Sequence, residues 1–278
     1  MPPSTVDAVL LVGWMERDFA VKYLTEDCVF DPPISPAEAE EIWRKYRAAV
    51  DAMPERDCAA PERLPLSADE QRAAEEFLRF HRRQGANSPI RDVIKIDPRK
   101  LVAYQFYIVL DRAKAYMGHA EARTWSARNC LKATIQPQQI RVNHGLNLMN
   151  IEVPHGEFAF IFDQNTGHYS VVELARHVSV SEFQNRMILW AGYHRSYARV
   201  ASTNPDAIDL SMLVALTTDA DLFVSDASPN QGLRSTVCGL RAPLLRDFFD
   251  ARFFMMVKLR KKRFELQIRA QCVGVNAD

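Results

Sequence analysis

The sequence predicts an α+β fold built around a mixed β-sheet. Helices are predicted for residues 35–53 and 67–83, because both segments are amphipathic and begin with helix-start signals. Strands are predicted within residues 146–190, because this segment is rich in β-forming side chains. A strand followed by a glycine and a helix is centred on Gly192 and joins the two types of element. Since 47% of the 278 residues are hydrophobic, the chain can bury a large core.

The two N-terminal helices are predicted from their first residues. Ser35 precedes a proline and then acidic residues, and Ser67 precedes an acidic first turn, which is the pattern of a capped helix start. Residues 5–24 mix apolar and charged positions, and we expect one or two short helices there. Residues 1–87 are therefore predicted to form a helical region.

Strand patterns become frequent after residue 88. An apolar run at 158–162 and an alternating run at 168–174 flank a turn sequence, which predicts a β-hairpin. The apolar run at 210–216 is typical of a strand that faces a core, whereas residues 101–116 fit either a strand or a helix. We expect a core over residues 88–205 that contains an insertion, and a C-terminal α/β extension over residues 206–278 packed on it.

Charge, cysteine content and the N-terminal sequence bear on the cellular compartment and on the partners of the protein. Lys+Arg and Asp+Glu both number 35, so the net charge of zero gives no global argument for nucleic acid or membrane binding. Five scattered cysteines without a CxxC pair favour a reduced, intracellular protein. The N-terminus lacks the basic residues of a signal peptide, and no apolar run reaches transmembrane length. We expect a cytoplasmic protein that does not enter a membrane.

A candidate anion site lies at the strand–glycine–helix corner over residues 187–200. Gly192 permits a sharp turn, and the start of a helix presents unpaired N–H groups and the positive end of its dipole. His194, Arg195 and Ser196 follow at once, and an arginine can fork onto a phosphate. The sequence therefore predicts a phosphate or carboxylate site. The alternative is an ordinary corner in which Arg195 pairs with a nearby carboxylate.

The residues of this corner, GYHRSYA at 192–198, resemble the G-x-x-R-x-x-A box of the ParB/sulfiredoxin-like superfamily. In that superfamily the box follows a strand, opens a helix and holds nucleotide phosphates. Gly192, Arg195 and Ala198 match both the ParB and the sulfiredoxin forms, and His194 matches the sulfiredoxin form. Tyr193 stands in place of the reactive cysteine of sulfiredoxins, so the resemblance does not imply their chemistry.

A second segment, residues 93–105, resembles the opening strand of the same superfamily and its N-P-x-Q-like continuation, with Gln105 as the closest match. The spacing between the two segments is longer than in a compact ParB core, which implies an insertion. The resemblance thus implies a mixed-sheet ParB/sulfiredoxin-like core with an N-terminal helical appendage and a C-terminal β extension.

The resemblance also implies a ligand, namely a nucleotide or another phosphate compound, with a nucleoside triphosphate and Mg²⁺ as the expected pair. Hydrolysis and phosphoryl transfer both stay open, and Asp97 and His194 are the candidates for catalysis. Asp219 and Asp221, with Asp226 close by, are candidate metal ligands, since a divalent ion beside a phosphate takes oxygen ligands. An acidic, solvated turn is the alternative there. The expected phosphate-binding residues are Gly192, Tyr193, His194, Arg195, Ser196 and Gln105.

Two other functions stay open. The first is a DNA-associated, ParB-like regulatory protein, but no helix-turn-helix pattern follows the box and the net charge is zero. The basic cluster at 258–263 fits contact with phosphate or nucleic acid, and a solvated strand edge guarded by lysines is the alternative. In a non-catalytic interaction protein, for example a homodimer, the corner would be structural. Tyr193, His194 and Tyr197 would then be buried and hydrogen-bonded to neighbouring residues.

Overall fold

A computed structural model of the chain describes residues 5–56, 58–83, 90–118, 141–145, 148–152, 158–163, 168–173, 177–203, 207, 209–218, 236–260 and 267–269. The chain divides into two compact units, residues 1–133 with 176–261 and residues 134–175 with 262–278. Residues 134–175 fall within the range in which the sequence predicts an insertion.

A four-stranded antiparallel sheet of the first unit joins the two ends of that unit. Strand β1 (Thr5–Leu10) pairs with β13 (Met255–Arg260) on one side and β5 (Tyr107–Val109) on the other. The two-residue strand β2 (Cys28–Val29) pairs with the far side of β13. The expectation of only short helices over residues 5–24 is therefore wrong for Thr5–Leu10; helix α1 (Arg17–Glu26) follows it.

A five-stranded mixed sheet in the same unit carries the candidate corner. Its strand order is β3 (Ile90–Ile96), β12 (Met212–Thr217), β10 (Ser179–Phe183), β11 (Arg186–Ala191) and β4 (Val102–Ala103). Strand β12 runs antiparallel to β3 and parallel to β10, and β11 runs antiparallel to β10 and parallel to β4. The predicted strand at 210–216 is confirmed as β12, which is an interior strand of this sheet.

The first unit also contains the helices α2 (Pro36–Ala52), α3 (Ala68–Arg83), α4 (Leu110–Gly118) and α5 (Tyr193–Ala201). The predicted caps of α2 and α3 are confirmed. The Glu38 N–H donates to Ser35 Oγ at 3.3 Å while its carboxylate accepts the Ser35 N–H at 2.7 Å. Glu70 makes the same exchange with Ser67. Such reciprocal bonds satisfy N–H groups that a helix start otherwise leaves unpaired.

One hydrophobic cluster contains side chains of both sheets and of the helices packed on them. Its fully buried members include Leu10 of β1, Ile96 of β3 and Leu189 of β11. Phe77 of α3 is buried in the same cluster. The core of the first unit is therefore continuous from the N-terminal strand to the corner at Gly192.

The second unit contains strands in two small sheets. In the first, β7 (Leu148–Glu152) pairs with β6 (Arg141–Gly145) and with β14 (Gln267–Arg269). The second is the hairpin of β8 (Phe158–Asp163) and β9 (His168–Glu173), whose register confirms the predicted strand pair. The predicted turn at 164–167 lies outside the described residues.

The α+β class predicted from the sequence is confirmed, because helices accompany an antiparallel and a mixed sheet. The ParB/sulfiredoxin-like identity of the core stays a prediction, as do the region boundaries after residues 87 and 205. Strand β1 of the predicted helical region and β13 of the predicted extension are neighbours in one sheet, so these two regions share a framework. None of the helices in the described ranges is both long and apolar enough to span a membrane.

Candidate functional site

The predicted corner is present where the sequence placed it. Strand β11 ends at Ala191, Gly192 adopts a left-handed conformation with φ +85°, and α5 begins at Tyr193. A Cβ atom on Gly192 would lie 2.8 Å from Val178 Cγ2 and 2.9 Å from Val178 Cα. Both the backbone angle and this close approach favour glycine. Residues 93–105 also reach the corner, since β4 pairs with β11 and the Gln105 N–H bonds to Tyr193.

Tyr193 is buried and its hydroxyl connects two strands. This hydroxyl accepts the N–H groups of Tyr104 and Gln105, each at 3.1 Å, and donates to the Leu189 carbonyl. Burial raises the pKa of Tyr193 well above its ordinary value. A phenol hydroxyl has one donor and two acceptor positions, so these three bonds use its capacity. Tyr193 serves the fold at this position, and a phosphate could not reach its hydroxyl without displacing one of them.

His194 also faces the protein interior. Its Nε2 accepts the Val109 N–H at 3.1 Å, which connects α5 to β5 of the other sheet. Burial, followed by the nearby charge of Arg112, lowers the pKa of His194 to about 4. The imidazole is therefore neutral at pH 7, with its proton on Nδ1. Through Nε2 it acts as an acceptor, so the predicted phosphate contact would have to come from Nδ1.

Two other predicted ligand residues bond within the chain. Ser196 is fully buried, and its Oγ donates to the Gly192 carbonyl at 3.1 Å while its N–H donates to the same carbonyl at 2.9 Å. Gln105 Nε2 donates to the Tyr107 carbonyl at 2.6 Å. These bonds stabilise the first turn of α5 and the start of β5.

Of the candidate catalytic and metal-binding carboxylates, the structure describes only that of Asp97. Asp97 caps the short 3₁₀ helix Pro98–Lys100 by accepting the Arg99 N–H at 2.9 Å, and it pairs with Arg99 Nη2 at 2.9 Å. A role as a base would require that ion pair to open. Asp219, Asp221 and Asp226 lie outside the described residues. Across the described ranges, no three His, Cys, Asp or Glu side chains are grouped as a metal ion would need.

Arg195 is the predicted residue whose position fits an anion site best. It lies in the first turn of α5 with only 3% of its surface exposed. Its guanidinium carbon is 5.2 Å from the centre of the Tyr116 ring on α4, which is the distance of a cation–π contact. The guanidinium is thus held in a largely desolvated place, where its field acts more strongly than at the surface.

Two histidines that the sequence did not assign to the corner lie close together, and the charge of Arg195 acts on one of them, His177. The rings of His81 and His177 lie 5.4 Å apart, and both contact Phe77. Burial, then His81, then Arg195 lower the pKa of His177 to about 4, and burial lowers the pKa of His81. The Nδ1 atom of His177 is buried without a hydrogen bond to any described residue.

The sequence carries only a weak signal for this histidine pair. His177 immediately precedes Val178, the residue that packs against Gly192, but nothing local indicates that α3 brings His81 to the same place. No protein-family model, curated protein or solved structure matches the chain in comparisons with known proteins. The resemblance to the ParB/sulfiredoxin-like superfamily therefore rests on the motif residues themselves.

Proposed function

We propose that the protein binds a small phosphate-bearing ligand, such as a nucleotide, at the corner around Arg195. The observation that carries this proposal is a buried guanidinium in the first turn of a helix that begins after a left-handed glycine. The N-terminal end of a helix favours an anion, and the planar arginine fork matches the oxygens of a phosphate. A nucleoside triphosphate with Mg²⁺ is the ligand that the motif favours.

The histidine pair supports this proposal and changes the expected set of ligand residues. His177 and His81 are neutral at pH 7, and the charge of Arg195 acts on His177. A phosphate placed there would favour the protonated imidazoles and so gain additional donors. The proposed set is therefore Arg195 with His177 and His81. Tyr193, Ser196 and Gln105 make bonds within the chain, so they would position the corner without contacting the ligand.

A second candidate function is favoured by a specific observation. The Tyr193 hydroxyl bonds to three backbone groups, and His194 holds the N–H of Val109. These are the contacts expected when the corner is a structural joint in a non-catalytic interaction protein. In that case Arg195 and Tyr116 would be packing partners, and no anion would stabilise the protein.

Thermal unfolding with added ligands distinguishes the two candidates. The full chain is heated with CTP, ATP or ADP, each with and without Mg²⁺, and with inorganic phosphate alone. A ligand present at one hundred times its Kd stabilises the folded state by about 2.7 kcal/mol, which we expect to raise Tm by about 5 °C. Phosphate alone should act more weakly than a nucleotide if the base and sugar also make contacts.

Arg195→Met should abolish this ligand-induced shift, because it removes the charge and the donors. Arg56→Lys is the matched control, since Arg56 is another largely buried arginine over an aromatic ring, 5.7 Å from the centre of Trp14. It should lower Tm without changing the ligand-induced shift. No shift of the wild-type protein with any of these ligands, or an undiminished shift in Arg195→Met, would favour the structural joint instead.

A further inference from the structure

The basic cluster at 258–263 has five Lys or Arg residues in six positions, in a chain whose net charge is zero. The structure describes its first part as the end of β13, where Lys258 and Arg260 are both exposed. Residues 261–263 lie outside the described residues. No member of the cluster belongs to the site proposed around Arg195, so its role is a separate question.

Lys258 and Arg260 do not guard the edge of a sheet. Lys258 has a strand partner on each side, Asp7 of β1 and Val29 of β2. Arg260 also pairs with β1, and on its other side its N–H donates to the Asp27 carbonyl at 2.9 Å. Charged residues protect a sheet edge by opposing the approach of another strand, but here the backbone is already paired. The alternative of a lysine-guarded edge therefore does not apply to these two residues.

Strand β13 alternates between the core and the solvent. Val257 and Leu259 are buried in the large hydrophobic cluster, whereas Met256, Lys258 and Arg260 are exposed. Side chains two positions apart on a strand lie on the same face of the sheet, so the three exposed ones form a straight row. Met256 is 55% exposed, which makes it one of the most exposed large apolar side chains in the described ranges.

This row belongs to a solvent-facing part of the four-stranded sheet, which we call the open face. It consists of Met256, Lys258 and Arg260 of β13, Thr5 and Asp7 of β1, and Val29 of β2. It ends at Met256, because Val9 on the opposite side of that pair is buried. Asp7 lies directly opposite Lys258, yet within the described ranges neither Lys258 nor Arg260 forms an ion pair. Both cations are therefore available to an external anion.

We propose that the open face binds the phosphate backbone of a single-stranded nucleic acid. Side chains two positions apart on a strand are about 6.4–6.8 Å apart, which is close to the spacing of successive phosphates in an extended single strand. The basic residues at 261–263 add to the local positive charge that attracts phosphates. This proposal does not rest on the site around Arg195.

The apolar side chains of the open face favour a single strand over other polyanions. Met256 and the half-buried Val29 lie beside the cations, where unstacked bases can contact them and the paired bases of a duplex cannot. Of the side chains on this face, only Met256 is both large and apolar and widely exposed. That is less apolar surface than an interfacial membrane anchor or the core of a protein interface uses.

Fluorescence anisotropy of labelled oligo(dT) and oligo(U), each of about 12 nucleotides, tests the proposal with the full chain. At about 50 mM salt we expect a Kd in the micromolar range. If about four phosphates are contacted, raising the salt to about 200 mM should weaken binding about 50-fold. A duplex of the same length should bind more weakly than either oligonucleotide. Tighter binding of oligo(U) would identify RNA as the source of the single strand, and tighter binding of oligo(dT) would identify DNA.

Substitutions on the open face should change this binding in both directions. Lys258→Gln with Arg260→Gln should weaken it at least tenfold and reduce the salt slope by about 1.4. Lys100→Gln with Arg79→Gln is the matched control, because it removes the same charges from exposed positions outside the open face and should change Kd less than twofold. Asp7→Asn should tighten binding about two- to fivefold, since its carboxylate no longer repels phosphate beside Lys258. A gain of affinity cannot come from a failure to fold.

Several results would overturn the proposal. They are the absence of binding to both oligonucleotides, a duplex that binds as tightly as the single strands, and equal losses in the open-face variant and its matched control. An unchanged Kd in Asp7→Asn would do the same. Binding to phosphatidylserine vesicles or to polyglutamate that is as tight as binding to the oligonucleotides would assign the open face to a membrane or to an acidic protein instead.

Discussion

Two buried histidines, His177 and His194, make the stability of this protein depend on pH. The pKa values of His177 and His194 are lowered to about 4, mainly by burial, from an ordinary value near 6.5. Between these values the unfolded chain binds more protons than the folded one. The contribution of each histidine to stability is therefore complete above pH 6.5 and is lost as the pH falls toward 4. Each should account for about 2 kcal/mol between pH 7 and pH 5.

Replacement of one histidine tests this pH dependence. His177→Phe keeps an aromatic ring beside Phe77 but removes the titrating group. In urea unfolding in phosphate-free buffer, the wild-type protein should lose about 4 kcal/mol between pH 7 and pH 5. The variant should lose about half as much. An equal loss in both proteins would show that the buried imidazole of His177 does not titrate as inferred.

The corner also shows which single residues can be read from sequence. Gly192 was predictable, because a glycine between a strand pattern and a helix pattern marks a turn, and its φ of +85° agrees with that. The partners of Tyr193 and His194 were not predictable. Tyr193 bonds to Tyr104, 89 residues earlier, and His194 bonds to Val109, 85 residues earlier. No local pattern distinguishes these inward-facing side chains from ligand-binding ones.

Helix α5 is fastened to its surroundings by its first-turn side chains. The Tyr193 hydroxyl fixes it to the end of β4 and to β11, and His194 fixes it to β5. One turn later, the Tyr197 ring stacks on Phe249 with ring centres 4.5 Å apart. The orientation of α5, and with it the place of Arg195, should depend strongly on the Tyr193 hydroxyl.

Tyr193→Phe should therefore destabilise the protein by about 2–4 kcal/mol, because two partly buried N–H groups lose their acceptor and the Leu189 carbonyl loses its donor. Tyr197→Phe is the matched control on the same helix. It keeps the stack on Phe249, and its hydroxyl has no hydrogen bond to another residue in the described ranges, so its cost should stay below about 0.5 kcal/mol. Urea unfolding of both variants at pH 7.5 measures the difference. Equal costs would contradict the assigned role of the Tyr193 hydroxyl.

Helices and strands also differ in how well the local sequence predicts them. Helices α2 and α3 were predictable because Ser35 and Ser67 form their caps with residues three positions later. Strand β1 was not, because it is specified by pairing with β13 at the other end of the first unit, where Ala8 faces Val257. A short apolar segment becomes helix or strand according to such distant partners.

Across the whole first unit, a buried ion pair ties the chain before α3 to the chain before β13. Arg56 donates to both carboxylate oxygens of Asp247, at 2.8 and 2.6 Å, and also to the Ala242 carbonyl. Asp247 in turn accepts the Leu244 N–H at 2.6 Å. Side-chain exposure is 11% for the arginine and 3% for the aspartate. The pair therefore has the geometry and burial that make loss of one partner costly.

Asp247→Asn should destabilise the protein by about 3–5 kcal/mol in urea unfolding, because Arg56 would keep its charge in a buried place without a carboxylate. Arg56→Met combined with Asp247→Leu should recover part of that loss, since both buried charges are then removed. Glu182→Gln is the control for an exposed pair, 3.1 Å from Arg63, and should cost less than about 1 kcal/mol. If Asp247→Asn costs no more than Glu182→Gln, the two halves of the first unit are held together by hydrophobic packing rather than by this pair.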